Sequence, residues 1–281
     1  MIDAHTHPVL IKKYIKKHNL TKNVREGFNL QNALEPIETF YYQMDNAGIE
    51  RSILLPIDTK KTFGYRIFDN EIIAEICREN DRFIGFASLD PNSEDCLDNY
   101  EKAFHDLNLK GLKLDPSIQY FYPNDFCNKS LIEIYKKCEK ENIPITFHSG
   151  LSFIKESVMK YSYPLLFEEV AQRFPKLNII IAHFGWPWVL ETTALSIKYS
   201  NIFIDTSCLY AEKPKDFINY VFNGQIREGF IENSLRYKVI FGSNHPRIEI
   251  LKMVEAMRSL KLLDKTFDLI FDKNIRNILE I

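Results

Sequence analysis

The sequence predicts an α/β chain closed into one (β/α)8 barrel, and three observations carry that prediction. Short apolar, β-branched runs recur eight times along 281 residues. Amphipathic helical segments separate them, and strands alternating with helices imply parallel β-α units. No Gly-x-Gly-x-x-Gly follows any early strand, so the runner-up, an open doubly wound sheet, lacks its dinucleotide fingerprint.

The first run is IDAHTH (2–7), where Asp3, His5 and His7 alternate with Ile2, Ala4 and Thr6 in the two-residue period of a strand. RSILLPID (51–58), FIGFASLD (83–90), GLKLDPSI (111–118) and ITFHSG (145–150) follow, then NIIIAHFG (178–185), IFIDTSCL (202–209) and VIFGSNHP (239–246). Helical periodicity fills the gaps at 34–47, 69–80, 128–142, 164–173 and 247–260. Residues 271–281 read as a closing helix with Ile275, Ile278 and Leu279 on its buried face. The stretch from Pro8 to Ala33 is long for a βα loop and is expected to act as a lid or a dimer contact. With no linker or composition shift, residues 1–281 are expected to form one domain, a length that single barrels commonly reach.

Composition narrows the function. A net charge of -2, with charges interspersed, argues against a nucleic-acid partner; Lys12, Lys13, Lys16 and Lys17 read as one solvated helix face. No apolar run approaches the roughly 20 residues of a membrane span. Cys77, Cys96, Cys127, Cys138 and Cys208 are odd in number and scattered, as expected of reduced thiols. The chain opens directly into its first strand, so no signal peptide is expected and the expected location is cytoplasmic.

In a barrel the active face is built at the C-terminal strand ends. His5, His7, His148, His183 and His245 lie there, five of the seven histidines, with Lys113, Asp115, Asp205, Ser207 and Asn244. Two imidazoles at i and i+2 of a strand lie about 7 Å apart and can share one ion at about 2 Å from each nitrogen. His5, His7 and His148 therefore form a candidate nitrogen triad for a divalent metal, zinc first and manganese as the alternative. Such an ion activates water at neutral pH, and His183 can move its proton or polarise a carbonyl. Aromatics crowd the same loops: Phe63, Tyr65, Phe68, Tyr120, Phe121, Tyr122, Phe153, Tyr161, Tyr163, Trp186, Trp188 and Tyr210. They suggest a lined apolar pocket, or else loops packed on one another. Arg66 and Arg247 are the loop cations suited to clamping a carboxylate, and Trp186 is a further substrate-binding candidate.

IDAHTH, GLKLDP, ITFHSG, IIIAHFGWPW and VIFGSNHP, in that order, resemble the amidohydrolase superfamily, and within it the amidohydrolase-related (amidohydrolase 2) branch. That branch holds TIM-barrel metal-dependent hydrolases and nonoxidative decarboxylases of the aminocarboxymuconate-semialdehyde and resorcylate kind. The resemblance implies that His5, His7 and His148 are metal ligands and His183 the acid/base. It implies a small-molecule substrate and, in many members, a dimer. The family's strand-8 Asp, a ligand and proton acceptor, is here Asn244, in Gly242-Ser243-Asn244-His245-Pro246. An amide can lend its oxygen to an ion but accepts no proton near pH 7. His183 is then the sole base, or His245 turns inward against the alternation, or the site binds metal and catalyses poorly. Lys113 binds a substrate carboxylate, or is carboxylated and bridges two metals as in binuclear relatives, or is an interior lysine paired with Asp115 or Asp205. Asp205 and Asp3 are expected to orient groups rather than ligate. The expected reaction is hydrolysis of an ester, lactone or amide of a small anionic substrate by metal-activated water. The alternatives are nonoxidative decarboxylation of a small aromatic or unsaturated acid, and a catalytically impaired binding barrel.

Overall fold

The computed structural model describes residues 1–207 and 213–281; Cys208 and Tyr210 lie outside the described residues. Among the described residues the eight apolar runs become nine short strands. These are β1 (Ile2–Thr6), β2 (Arg51–Leu54), β3 (Phe83–Gly85), β4 (Ala87–Ser88), β5 (Leu112–Leu114), β6 (Ile145–Phe147), β7 (Ile179–Ile181), β8 (Ile202–Asp205) and β9 (Val239–Ile240). Every pairing between neighbours is parallel. The extra strand arises because one run changes partner in its middle. Phe86 donates its N–H to Leu54 on one side, and Ala87 donates to Gly111 on the other. The three-stranded sheet β1–β3 and the six-stranded sheet β4–β9 are therefore continuous through residues 83–88.

The other edges also meet. Ala4 N–H donates to the Phe241 carbonyl at 2.9 Å, Asn244 N–H to His5 at 2.9 Å, and His7 N–H to His245 at 2.8 Å. A parallel bridge joins Thr6 to His245. These bonds bring the end of the chain's last strand back to the first, as the barrel reading expects.

Inside the ring, Ile2, Ala4, Ile53, Leu55, Ile84, Phe86, Ile180 and Ile240 pack together with Ile275 and Ile278. The last two come from the helix Asn274–Leu279, which stoppers the ring as expected, with Leu279 half-buried against the same cluster. A larger apolar layer lies between strands and helices; Leu54, Leu112, Leu114 and Ile179 face it with Ile73, Ile134 and Val170. Four of the expected helices run from Ile37–Ala47, Asn70–Glu79, Lys129–Lys140 and Ile250–Arg258. The segment at 164–173 is a 3-10 turn over Pro164–Leu166 leading into the helix Phe167–Arg173.

The strands are shorter than the apolar runs that encode them, and the difference creates the site. His148, His183 and Asn244 fall just beyond β6, β7 and β9, where the backbone has left the ladder. The stretch after β1 carries two helices, Lys12–Lys17 and Thr21–Gly27, anchored by buried Tyr14, Ile15 and Val24. Lys13 and Lys17 on the first of these pair with Glu79 and Glu75 of the helix Asn70–Glu79.

Candidate metal and active site

The first strand does not keep its simple alternation. Its pairing with β2 runs Ile2 to Arg51 and Asp3 to Ser52, then Thr6 to Leu54, so β1 carries an irregularity between Asp3 and Thr6. Such a bulge re-aims the side chains that follow it. Ile2 and Ala4 pack in the ring's apolar interior, and His5 and His7 beyond them line the cavity at its upper end. Asp3, expected on the histidine face, instead accepts the N–H of His5 at 3.1 Å and of Ser243 at 2.9 Å through one carboxylate oxygen. It thereby ties the first strand to the loop that holds Asn244.

Four imidazoles converge. Ring centroids are 5.1 Å apart for His5 and His7, 4.7 Å for His5 and His183, and 5.0 Å for His148 and His183. All four line one cavity of about 40 Å³ with Phe28, Ile57, Lys113, Asp115, Ser152, Phe153, Ile154, Asn244 and Arg247. That volume admits a few water-sized groups.

Hydrogen bonding sorts the ring nitrogens. His7 Nδ1 donates to the Leu55 carbonyl at 2.7 Å. His5 Nδ1 lies 2.8 Å from Asp205 Oδ2 and donates to it. With Nδ1 carrying the hydrogen in both, Nε2 keeps its lone pair for an electrophile. His148 Nε2 is buried with no hydrogen-bond partner among the described residues. An orphaned buried nitrogen in the cavity that His5 and His7 also line suits a divalent cation, and imidazole donors suit zinc or manganese. Among the described residues, the group whose donor atoms all lie within 4.8 Å of one another is not the triad His5, His7 and His148 but His5, His183 and Asp205. Asp205 is better read as their support: it accepts from His5 Nδ1, His183 N–H at 2.9 Å, Ser207 N–H at 3.0 Å and the Ser207 hydroxyl. Those bonds and the His5 imidazole hold its carboxylate below the usual range despite burial.

Backbone geometry sets two of the groups. His183 and Phe184 sit at φ 60° and 53°, and Asn244 at φ 66°, all left-handed. Asn and His tolerate that region better than most residues. Asn244 N–H bonds to His5, and Arg247 N–H bonds back to the Asn244 carbonyl at 2.9 Å, so the turn is held from both sides. Gly150, two residues after His148, has φ +89° and packs against the carbonyl of Trp186.

Burial dominates the electrostatics. It drives His7 and His183 well below the usual imidazole range, His148 to about 4 and His245 to about 3. Lys113 falls to about 8, burial outweighing the attraction of Asp115 and Asp205. Its Nζ donates to the Leu114 carbonyl at 3.1 Å. Asp3 rises to about 7, mainly through burial.

These shifts predict an acid-sensitive fold. An unfolded chain protonates each histidine near pH 6.5, whereas burial keeps the folded rings of His148 and His245 neutral down to about 4 and about 3, and those of His7 and His183 neutral well below the usual imidazole range. Between those limits the unfolded state binds more protons, so stability falls as pH falls. Asp3 opposes one ring, since its folded form holds a proton that the unfolded form has lost. Four rings outweigh one carboxyl, so the net effect is a loss of stability that steepens as pH falls below about 6.5. Urea unfolding in chelator at pH 6.5, 5.5 and 4.5 measures it, and a flat profile would contradict these burial assignments.

The structure brings together most of the residues read from sequence, but not all. Arg66 is spent elsewhere: its Nε meets buried Asp58 at 2.6 Å and a second nitrogen meets Asp69 at 3.5 Å, and it does not line the cavity. Trp186 also lies outside it, half-buried against the outer core, with its carbonyl accepting from Leu151. His245 stays turned away, its ring 4.3 Å from Phe40, as alternation implied. The aromatic loops pack chiefly on themselves: Phe63 with Tyr65, Tyr122 with Tyr161, Tyr163 with Trp188. Of the named aromatics among the described residues, Phe153 alone reaches the cavity, beside Phe28 from the long first loop. Arg247 lies over both rings, at 4.3 Å from Phe28 and 5.4 Å from Phe153, and donates to the Phe28 carbonyl. Phe28, Ile57, Ser152 and Ile154 carried no local signal. Ser207 did: Asp205 and Ser207 are two apart at a strand end and therefore share a face.

An uncharacterised TIM-barrel protein from Bordetella bronchiseptica superposes with a TM-score of 0.76 at 19% identity, covering 100% of this chain and 98% of its own. A 2,6-dihydroxybenzoate decarboxylase from Rhizobium gives 0.68 at 16% identity, with 99% and 98% covered. A probable 2-pyrone-4,6-dicarboxylic acid hydrolase from Acinetobacter baumannii, with citric acid bound, gives 0.67 at 15% identity, with 100% and 99% covered. No curated protein matches the sequence. These solved structures share the barrel fold, and among the described residues no helix is long and apolar enough to cross a membrane. The amidohydrolase family model (amidohydrolase 2) matches residues 2–279, essentially end to end, and the chain belongs to that family.

Proposed function

We propose that this protein is a metal-dependent hydrolase acting on an ester, lactone or amide carbonyl of a small anionic molecule. The observation that carries the reading is the four-imidazole cluster, His5, His7, His148 and His183, around one cavity that also receives Lys113 and Arg247. His5, His7 and His148 would hold the ion, zinc or manganese, with Asn244 offering its amide oxygen. A divalent ion bound there supplies Lewis-acid chemistry toward a carbonyl or a water.

The chain's own groups do the rest. His183, hydrogen-bonded through Nδ1, keeps Nε2 as the base: it takes a proton from the attacking water and returns it to the leaving oxygen or nitrogen as the C–O or C–N bond breaks. Asn244 cannot share that work, because an amide accepts no proton near pH 7. Lys113 holds a substrate carboxylate at depth, and Arg247, backed by two aromatic rings, holds one nearer the mouth. Phe28, Ile57 and Ile154 exclude water around the reacting carbon.

The same cations favour a second reading, nonoxidative decarboxylation, since a clamped carboxylate is also what a decarboxylase needs. A panel of carboxylated lactones, esters and hydroxylated aromatic acids, assayed with zinc or manganese, separates the two. Acid produced with consumption of water supports hydrolysis; carbon dioxide released without it sinks that reading. Turnover of neither class, with metal bound and gained only in Asn244→Asp, marks a binding barrel that has lost its acid.

A further inference from the structure

Between His183 and Asp205 stands a hydroxyl to which no role is assigned. Ser207 Oγ lies 2.7 Å from His183 Nδ1 and 3.2 Å from His5 Nδ1, and it donates to Asp205 Oδ1. Ser207 is fully buried, and its own N–H also bonds to Asp205. We infer that Ser207 is a positioning residue that fixes which nitrogen of His183 carries the hydrogen and so makes Nε2 the reactive face. The inference rests on the reading of His183 as the base.

A hydroxyl has one hydrogen and two lone pairs. Asp205 is acceptor-only when ionised, so the Ser207 hydrogen points at it and the oxygen presents lone pairs to the rings. The ring nearer by 0.5 Å is His183, as the two distances, 2.7 Å and 3.2 Å, show. His5 does not need the hydroxyl, because Asp205 Oδ2 already accepts from its Nδ1 at 2.8 Å. For His183 the remaining acceptor at Nδ1 is the Ser207 carbonyl, at 3.2 Å. Without the hydroxyl the Nδ1-hydrogen form keeps only that longer bond, and the other tautomer, with Nε2 blocked, becomes populated. One carboxylate, directly for His5 and through one hydroxyl for His183, thus orients a ligand ring and the base ring together.

The test is Ser207→Ala beside Ser207→Thr, which keeps the hydroxyl. Ring nitrogens of histidine-labelled, zinc-loaded protein are read by long-range nitrogen–proton NMR, with His183 assigned by its loss in His183→Asn. In the parent and in Ser207→Thr, His183 shows a protonated Nδ1 and an unprotonated Nε2. In Ser207→Ala its two shifts move toward the average of the tautomers while those of His5 stay put. On a substrate turned over in the panel described above, kcat falls about tenfold with KM within about twofold, the fold-change that one neutral hydrogen bond supports. Unmoved His183 shifts in Ser207→Ala overturn the inference, and so does an equal movement of His5, which indicates a general disturbance of the site. Should the shifts move as stated while His183→Asn keeps full activity, the positioning stands and the base assignment fails.

Discussion

Replacing His183 with asparagine lowers kcat by about 10²–10⁴ and leaves metal content unchanged. The range is the usual worth of a positioned general acid or base. The lower part of it applies to sites where a second group can take over, and here the position beyond β9 that could do so is the neutral Asn244. Asparagine is the informative replacement because position 183 has φ 60°, a conformation that asparagine tolerates and β-branched residues do not. The variant therefore separates lost chemistry from lost folding. Steady-state kinetics with metal analysis on the same sample checks it. A variant that retains its metal and loses less than about threefold in kcat shows that another group moves the proton.

Gly150→Ala is expected to be the most damaging single methyl group at the site. A Cβ there would lie 1.9 Å from the Trp186 carbonyl oxygen and 2.8 Å from its carbon, both backbone atoms. Side chains can swing aside, but this carbonyl is held by the Leu151 N–H at 2.9 Å. The φ of +89° adds the left-handed penalty of about 1–2 kcal/mol that glycine alone escapes. Together with the contact, a loss of about 3–5 kcal/mol is expected, of the size of other overpacked or strained positions. For a chain this long that lowers Tm by roughly 6–15 °C. Thermal unfolding followed by circular dichroism reads it directly; a shift under about 2 °C would mean that the 148–151 turn relaxes freely.

Much of this was legible in the chain, and the reasons differ from residue to residue. The barrel was readable because most strands repeat one grammar: an apolar run ended by Gly or Pro, then an amphipathic helix. Histidines at the ends of those runs stood out because imidazoles rarely cluster there without a task. Asn244 was visible as a departure only because the residues around it match a family. The bulge in β1 was not visible, since Asp3, His5 and His7 alternate as an ordinary strand does; the extra residue appears only in the pairing with β2. Arg66 misled for a related reason. Nothing in its neighbourhood announced that Asp58, nominally the end of a strand, would be buried and claim its guanidinium. The loop aromatics misled because ring–ring packing and ligand lining use the same residues, and Tyr163 with Trp188, 5.0 Å apart, chose the former. Phe28, which does reach the cavity, comes from the first loop, whose two helices no loop-length argument anticipated.

His5 and His7 remain the centre of the account, together with the unpartnered Nε2 of His148. The direct measurement is metal content by mass spectrometry of the purified protein, dialysed with zinc and with manganese, beside His5→Ala and His148→Ala. About one divalent ion per chain in the parent, falling at least about tenfold in each variant, is the predicted result for a site built on these ligands. No ion bound by the parent at saturating metal, or an ion retained in both variants, would contradict it.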